Sequence, residues 1–263
     1  MGSASRVAVE AATQRLAAST GVTLVTGEQL LAVARAIESS TQLRAVLADP
    51  SIPAAEKSGL IGRIFPQLDA TAARVLGGVV ESRWSNPAEL IDGIEQLGIR
   101  AIAIAAGPDA GIEDEIFAFG RAVTSDHELE LAVGSKLGTA EAKAALVDAL
   151  LGGKAQAGTV AIVRHLVQSP RGRRIGELLS LAASAVADVA GAVVATVTSA
   201  TRPSAAQLAT LEKALGARYG RALRINLITD PTIVGGLRVQ IGDDVIDGTV
   251  ASRLAELRIR LAG

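Results

Sequence analysis

Between Ala32 and Leu60 the chain carries a pattern of residue types that returns 86 positions later. Ala32, Arg35, Ala36, Ser39, Leu43, Ala54, Lys57 and Leu60 are matched by Ala118, Arg121, Ala122, Ser125, Leu129, Ala140, Lys143 and Leu146. After a slip of two residues, Val75, Val79 and Arg83 meet Val163, Val167 and Arg171, so the correspondence continues into the next segment. A unit that occurs twice has an apolar face to bury twice, which calls for two related cores. The 263 residues leave room for them, since a domain takes roughly 100–200 residues.

The filling of those cores is restricted. Apolar residues make up 49% of the chain but aromatic ones only 2%, so Ala, Leu, Val and Ile must build the interior, which suits close-packed helices. The N-terminal MGSASRVAVEAATQRLAAS is broken by Arg6, Glu10 and Arg15 and reads as an amphipathic helix, without the unbroken apolar core of a secretory signal. Leu30, Leu31, Ala34 and Ile37 recur at helical spacing within Gly27–Thr41, and Leu43–Leu47 begins another short turn. A helix opening near Pro53 stops at Pro66, and two more fit Ala70–Arg83 and Pro87–Ala106 before Gly107-Pro108-Asp109 closes the first unit.

The final third changes character. AVVATVTSA reads as a strand after a break at Gly191, PSAAQLATLEKALGARYG as a helix with Ser204 near its N-cap, and ALRINLITD as a second strand. LRVQIGDDVIDGT alternates Leu237, Val239 and Ile241 with Arg238 and Gln240, turns at Gly242-Asp243-Asp244 and returns as a short hairpin. The closing VASRLAELRIRLA puts Val250, Leu254, Leu257 and Leu261 on one side of a helix whose exposed face carries Arg253, Arg258 and Arg260. The expected fold is therefore mainly α: helical bundles at 1–107 and 108–190, then a small α+β domain of β-α-β-β-α order at 191–263.

Chemistry is sparse. Cysteine is absent, which excludes disulfides and thiolate nucleophiles and fits a reducing compartment. A net charge of −1 supplies no global field for nucleic acid or anionic lipid. Leu178–Ala200 is apolar enough to suggest a membrane span, but Asp188 near its centre would cost about 2.5–3.5 kcal/mol there, so a helix, a break and a strand are expected instead. Gly153-Lys154 lacks the upstream glycine and the following hydroxyl of a P-loop. His127 and His165 have no metal-ligand spacing and read as partly exposed helix residues. Asp243, Asp244 and Asp247 lack an EF-hand pattern and read as turn residues, with Asp247 capping the final helix. Arg171-Gly172-Arg173-Arg174, the one dense basic run, reads as a solvated helix start, and Trp84 suits either a core or an interface. No cofactor, metal or catalytic residue is expected.

The C-terminal order carries more. DPTIVGGLRVQIGDDVIDGTVASRLAEL, with Asp230-Pro231, Gly235-Gly236, Gly242-Asp243, Ile246-Asp247-Gly248 and a closing Arg/Leu helix, resembles the signature of ATP synthase δ subunits and the related mitochondrial oligomycin-sensitivity-conferring protein. LRAVLADPSIPAAEKSGLIGRIF is similar to that family's upstream stretch, and its duplicate at Leu129–Leu151 keeps Glu141, Lys143 and Leu146. The doubled helical unit is a departure from ordinary bacterial members and matches actinobacterial forms. The resemblance implies a peripheral-stalk subunit without catalysis on the cytoplasmic face of the plasma membrane. It would tie the α subunits' N-terminal helices, received by a bundle within Ala8–Leu181, to the b subunits, met by Ala192–Leu261 with Arg253, Arg258 and Arg260 contributing charge. The competing expectation is a helical adaptor outside the synthase.

Overall fold

The computed structural model describes residues 1–134 and 138–262; the repeat's run through 135–137 and the side chains of Leu257 and Leu261 on the apolar side of the last helix lie outside the described residues. Six helices come first: α1 (Ser3–Ala17), α2 (Leu24–Ser39), α3 (Thr41–Ala48), α4 (Ala54–Ile64), α5 (Ala70–Glu81) and α6 (Pro87–Ala106). Five follow: α7 (Ile112–Ser125), α8 (His127–Gly134), α9 (Ala140–Leu151), α10 (Ala157–Gln168) and α11 (Ile175–Val189). Local chemistry sets the ends of the longest: the Asn86 side chain accepts from Glu89 N, Pro87 occupies the first turn, and Gly107 at φ 88° ends the helix.

The repeat is structural. Helices α3 and α8 begin 86 residues apart, α6 and α11 begin 88 apart, and even a tertiary bond recurs. Gln29 Oε1 accepts from Asp69 N at 2.8 Å at the start of α5, and Glu115 Oε2 accepts from Gln156 N at 3.0 Å at the start of α10. In the first bundle α1 packs on α5 and α6; in the second, α6 itself packs on α10 and α11. So α6 closes one bundle and takes the place of α1 in the next.

That double duty explains why α6 is apolar around most of its circumference. Leu90, Ile94, Leu97 and Ala101 join Ile37, Val75 and Leu76 in the first core, while Ile99, Ile102 and Ala103 join Ile112, Val163 and Leu179 in the second. The α2–α6 crossing is close because both sides offer glycine. A Cβ on Gly27 would stand 2.8 Å from Gly98 O, and one on Gly98 would stand 2.7 Å from Leu31 Cδ2.

After Gly191 at φ 71°, the chain enters a four-stranded sheet of order β2-β1-β3-β4, formed by β1 (Ala192–Ser199), β2 (Ala222–Thr229), β3 (Leu237–Ile241) and β4 (Asp244–Asp247). Parallel β1 and β2 are joined by α12 (Ala205–Tyr219), whose Ser204 and Gln207 form a capping box. Ala195, Val197, Leu223, Val239 and Ile241 form the third core with Leu215 of α12. Asp244 starts β4 opposite Ile241, so the β3–β4 turn is Gly242-Asp243, one residue tighter than the sequence suggests. The chain ends in α13 (Val250–Ala262).

Candidate interaction surfaces

The C-terminal signature is a knot of turns at the root of α13. Asp230 N donates to Ser199 O at 2.9 Å, and Asp230 Oδ1 accepts from Thr232 N at 2.9 Å and Thr232 Oγ1 at 2.7 Å across Pro231. Those donors hold the Asp230 carboxyl below the usual range. Gly235 and Gly236, at φ 75° and 85°, turn the chain so that Gly235 O accepts from Val250 N and Gly248 N donates to Leu237 O. Gly242 at φ 57° turns the hairpin. Asp247 is not the helix cap. Its Oδ1 accepts from Thr249 N at 3.0 Å, and Thr249 Oγ1 accepts from Ser252 N at 3.3 Å, so the cap falls on the residue whose hydroxyl reaches into the first turn.

From that root α13 presents itself to solvent. Among the described residues from Val250 to Arg260, all but Ser252 are exposed, including Arg253, Arg258 and Arg260; Val250 and Leu254 keep 43% and 53% of their surface. Of the side expected to be apolar, Val250 and Leu254 are described, and both are exposed.

Where the two bundles meet, His165 is 1% exposed, contrary to the partly exposed position expected from sequence, because α2, α6 and α10 converge on it. A guanidinium only donates, so Arg35 Nη1 gives its hydrogen to His165 Nδ1 at 2.7 Å, and Nε2–H then donates to Glu95 Oε2 at 3.0 Å. Glu95 also meets Arg173 at 3.0 Å and Arg171 at 2.6 Å, and both arginines reach Asp92. The basic run is therefore no solvated helix start: two of its arginines fold onto α6. Arg171 accepts a left-handed backbone, φ 46°, to do so. Ser169 Oγ donates to Glu38 from the same side.

Burial pushes the Glu95 carboxyl up, but the His165 hydrogen bond and the Arg171 and Arg173 charges outweigh it and leave the pKa lowered. Burial lowers His165, with Arg35 and Arg171 adding to that against the pull of Glu95. A histidine held neutral in the fold loses stability as pH falls below about 6.5, where the unfolded chain takes up the proton first. Wild-type protein should thus lose denaturant stability as pH falls below about 6.5 more steeply than His165→Gln. Equal slopes in urea titrations of the two would dissociate the histidine from that loss.

The sheet is clamped to the second bundle by charge as well. Asp188 accepts from Arg100 of α6 at 2.6 Å and from Arg221 beside β2 at 2.8 Å, while Arg224 Nε lies 2.8 Å from buried Glu113 of α7. Burial raises the Asp188 carboxyl, but the two arginines override it and leave it below the usual range. Val194 of β1 also enters the second core. Trp84 settles as a core residue, 7% exposed, with Nε1 donating to Val79 O at 2.8 Å. Glu95–His165 and Arg100–Asp188 span 70 and 88 residues, beyond any local spacing rule, although a histidine at a helical core position and an acid on an apolar helix were visible signals.

Two stacked helical bundles sharing a helix, a clamped four-stranded sheet domain and an exposed last helix define a mainly helical protein with a small α+β domain. Comparison with known families specifies which: residues 100–261 match the ATP synthase delta (OSCP) subunit family. The chain is 49% identical to the ATP synthase subunit delta of Leifsonia xyli subsp. xyli and 41% to that of Streptomyces griseus, covering 100% of both sequences in each case. It is 37% identical to the Thermobifida fusca protein of the same name over 92% of the chain and 91% of the relative. The chain belongs to the ATP synthase delta (OSCP) subunit family. The family match begins inside α6, so the matched part contains the second bundle and the sheet domain.

Proposed function

We propose that the chain is a peripheral-stalk subunit of the proton-translocating ATP synthase, tying the catalytic head to the b subunits and resisting rotor torque without chemistry of its own. The family carries this reading, and the uncovered α13 supports the side that meets the b subunits. Arg253, Arg258 and Arg260 would suit acidic side chains on the b subunits, with Val250 and Leu254 as apolar contacts. No described helix is long and apolar enough to cross a membrane. Attachment to the cytoplasmic face of the plasma membrane would then come through the complex.

The head side rests on the first bundle, with 1–107, 108–190 and 191–263 as the working units. A helix-in-groove contact with an α-subunit N-terminus needs an open groove. The second bundle's α6–α10 groove already carries α2, whose Arg35 and Glu38 bond His165 and Ser169 of α10. The equivalent α1–α5 face carries no further helix among the described residues: Val7 keeps 68% of its surface and a Cβ on Gly77 would meet nothing within 4 Å, while Arg15 covers Gly78 and pairs with Glu81.

Purified from membranes, the chain should bring the α, β and b subunits with it; their absence would remove the stalk assignment. A chain ending at Ala190 should lose b and keep α, and full-length Val7→Arg should keep b while binding an α N-terminal peptide at least tenfold more weakly. Loss of α on truncation would reverse the placement of the two partners.

A further inference from the structure

The two copies of the repeat part company at the seam between them. At the 88-residue spacing that carries Val75 to Val163 and Val79 to Val167, Gly77 corresponds to His165 and Arg83 to Arg171. In the first bundle those places form no polar site: a Cβ on Gly77 would meet nothing within 4 Å, and Arg83 is exposed. At the 86-residue spacing Arg35 corresponds to Arg121, which is exposed as well. Only where α2 of the first bundle lies against α10 of the second do these positions hold a buried histidine and inward-turned arginines. Among the described residues, the side-chain hydrogen bonds that join α2 to α10 and its C-cap are Arg35–His165 and Glu38–Ser169. Stability alone does not call for them, since replacing a buried ionic network by packed apolar residues is often neutral or stabilising.

We propose that the Arg35–His165–Glu95 chain is an acid-released latch: a proton taken up from solvent at His165 Nδ1 detaches α2 from α10 and leaves the shared helix α6 to join the bundles. The hydrogen bonds give the proton one place to go. Nε2 already carries the hydrogen donated to Glu95, so uptake falls on Nδ1, the atom that accepts from Arg35 at 2.7 Å. Once Nδ1–H forms, two donors on two cations face each other and Arg35 has to withdraw. Glu38, one turn along α2, is the carboxylate that attracts it. The imidazolium keeps Glu95 and now pairs with it by charge, so α10 stays on α6 while α2 is let go. The other groups around the histidine already have partners. Glu95 and Asp92 of α6 hold Arg171 and Arg173, and Arg164 of α10 is held by Asp148 of α9. Glu115 of α7 bonds Gln156 and Thr159 near the start of α10, and α11 brings apolar Leu178 and Ala182 to the same core. Burial, then the charges of Arg35 and Arg171, oppose the proton against the pull of Glu95, so the latch is shut at neutral pH and opens below the ordinary histidine range. Burial and Arg164 also hold the Arg35 guanidinium below its usual range, the mark of a cation kept in place by its acceptor.

The test uses the full-length chain. Nitrogen-15 shifts of the His165 ring should show hydrogen on Nε2 at neutral pH and protonation of Nδ1 below about pH 6.5. Amide exchange is then compared, pH by pH, with His165→Gln, whose side chain can accept from Arg35 and donate to Glu95 throughout, so the intrinsic pH dependence of exchange cancels. With His165 protonated, amides of 35–39 and 165–169 should exchange at least about tenfold faster in wild type than in the variant; with it neutral, they should match. Amides of α5 and the fluorescence of Trp84 should stay the same in both. In Arg35→Gln, which leaves no cation to expel, exchange at 165–169 should lose the acid step. The proposal is overturned if His165 titrates without faster exchange at the seam, if Arg35→Gln keeps the step, or if α5 opens equally. A histidine that stays neutral until Trp84 reports global unfolding overturns it too.

Discussion

Glu95→Ala lowers the unfolding free energy by about 3–5 kcal/mol, because it leaves His165, Arg171 and Arg173 facing one another with their shared carboxylate removed. The cost is the desolvation of the Arg171 and Arg173 guanidinium groups, which keep only the partly exposed Asp92 as counter-charge beside a site 6% exposed at the glutamate side chain. An ion pair as such is worth little at the surface, so the comparison decides the cause. Asp148→Ala, which breaks the half-exposed pair with Arg164, should cost under about 1 kcal/mol. Urea denaturation followed through Trp84, the sole tryptophan, measures both. Equal losses in the two variants would mean that the bundle joint is held by packing alone.

Gly236→Ala is the second large effect, at about 3 kcal/mol from a left-handed backbone and an overpacked contact together. At φ 85°, a methyl there would overlap the Gly248 carbonyl and stand 2.8 Å from Thr249 Cα, both of them backbone that cannot rotate away. The loss is local to the root of α13. Amide exchange should speed up along 237–250 while α2, α5 and α6 stay protected. Binding of b should fall with it if α13 carries that contact, and uniform exchange across the chain would show that the signature does more than root the helix.

Local punctuation made much of the architecture readable. Asn86-Pro87 and Gly107-Pro108 bracket α6 at the residues the structure shows, and Ser204 with Gln207 starts α12 from a capping box. The hairpin was visible in the alternation of Leu237, Val239 and Ile241. Less visible was the destination of each face. Leu90, Ile94, Ile99 and Ile102 announce a helix buried on several sides, but periodicity does not say that two different cores receive them. The His165–Glu95 contact and the inward turn of Arg171 depend on how two bundles stack, so the basic run looked solvated. Asp247 was misread as a cap because Asp and Thr both cap helices, and only the Thr249–Ser252 hydrogen bond separates them.

Sharing α6 has a mechanical consequence. Two bundles joined by a loop would move as beads on a string, and a load applied at one end would first be spent extending the connection. A 20-residue helix common to both is a strut about 30 Å long. Bending it means shearing side chains in two interiors at once, so compliance is moved out of the middle of the chain and left to the exposed α13.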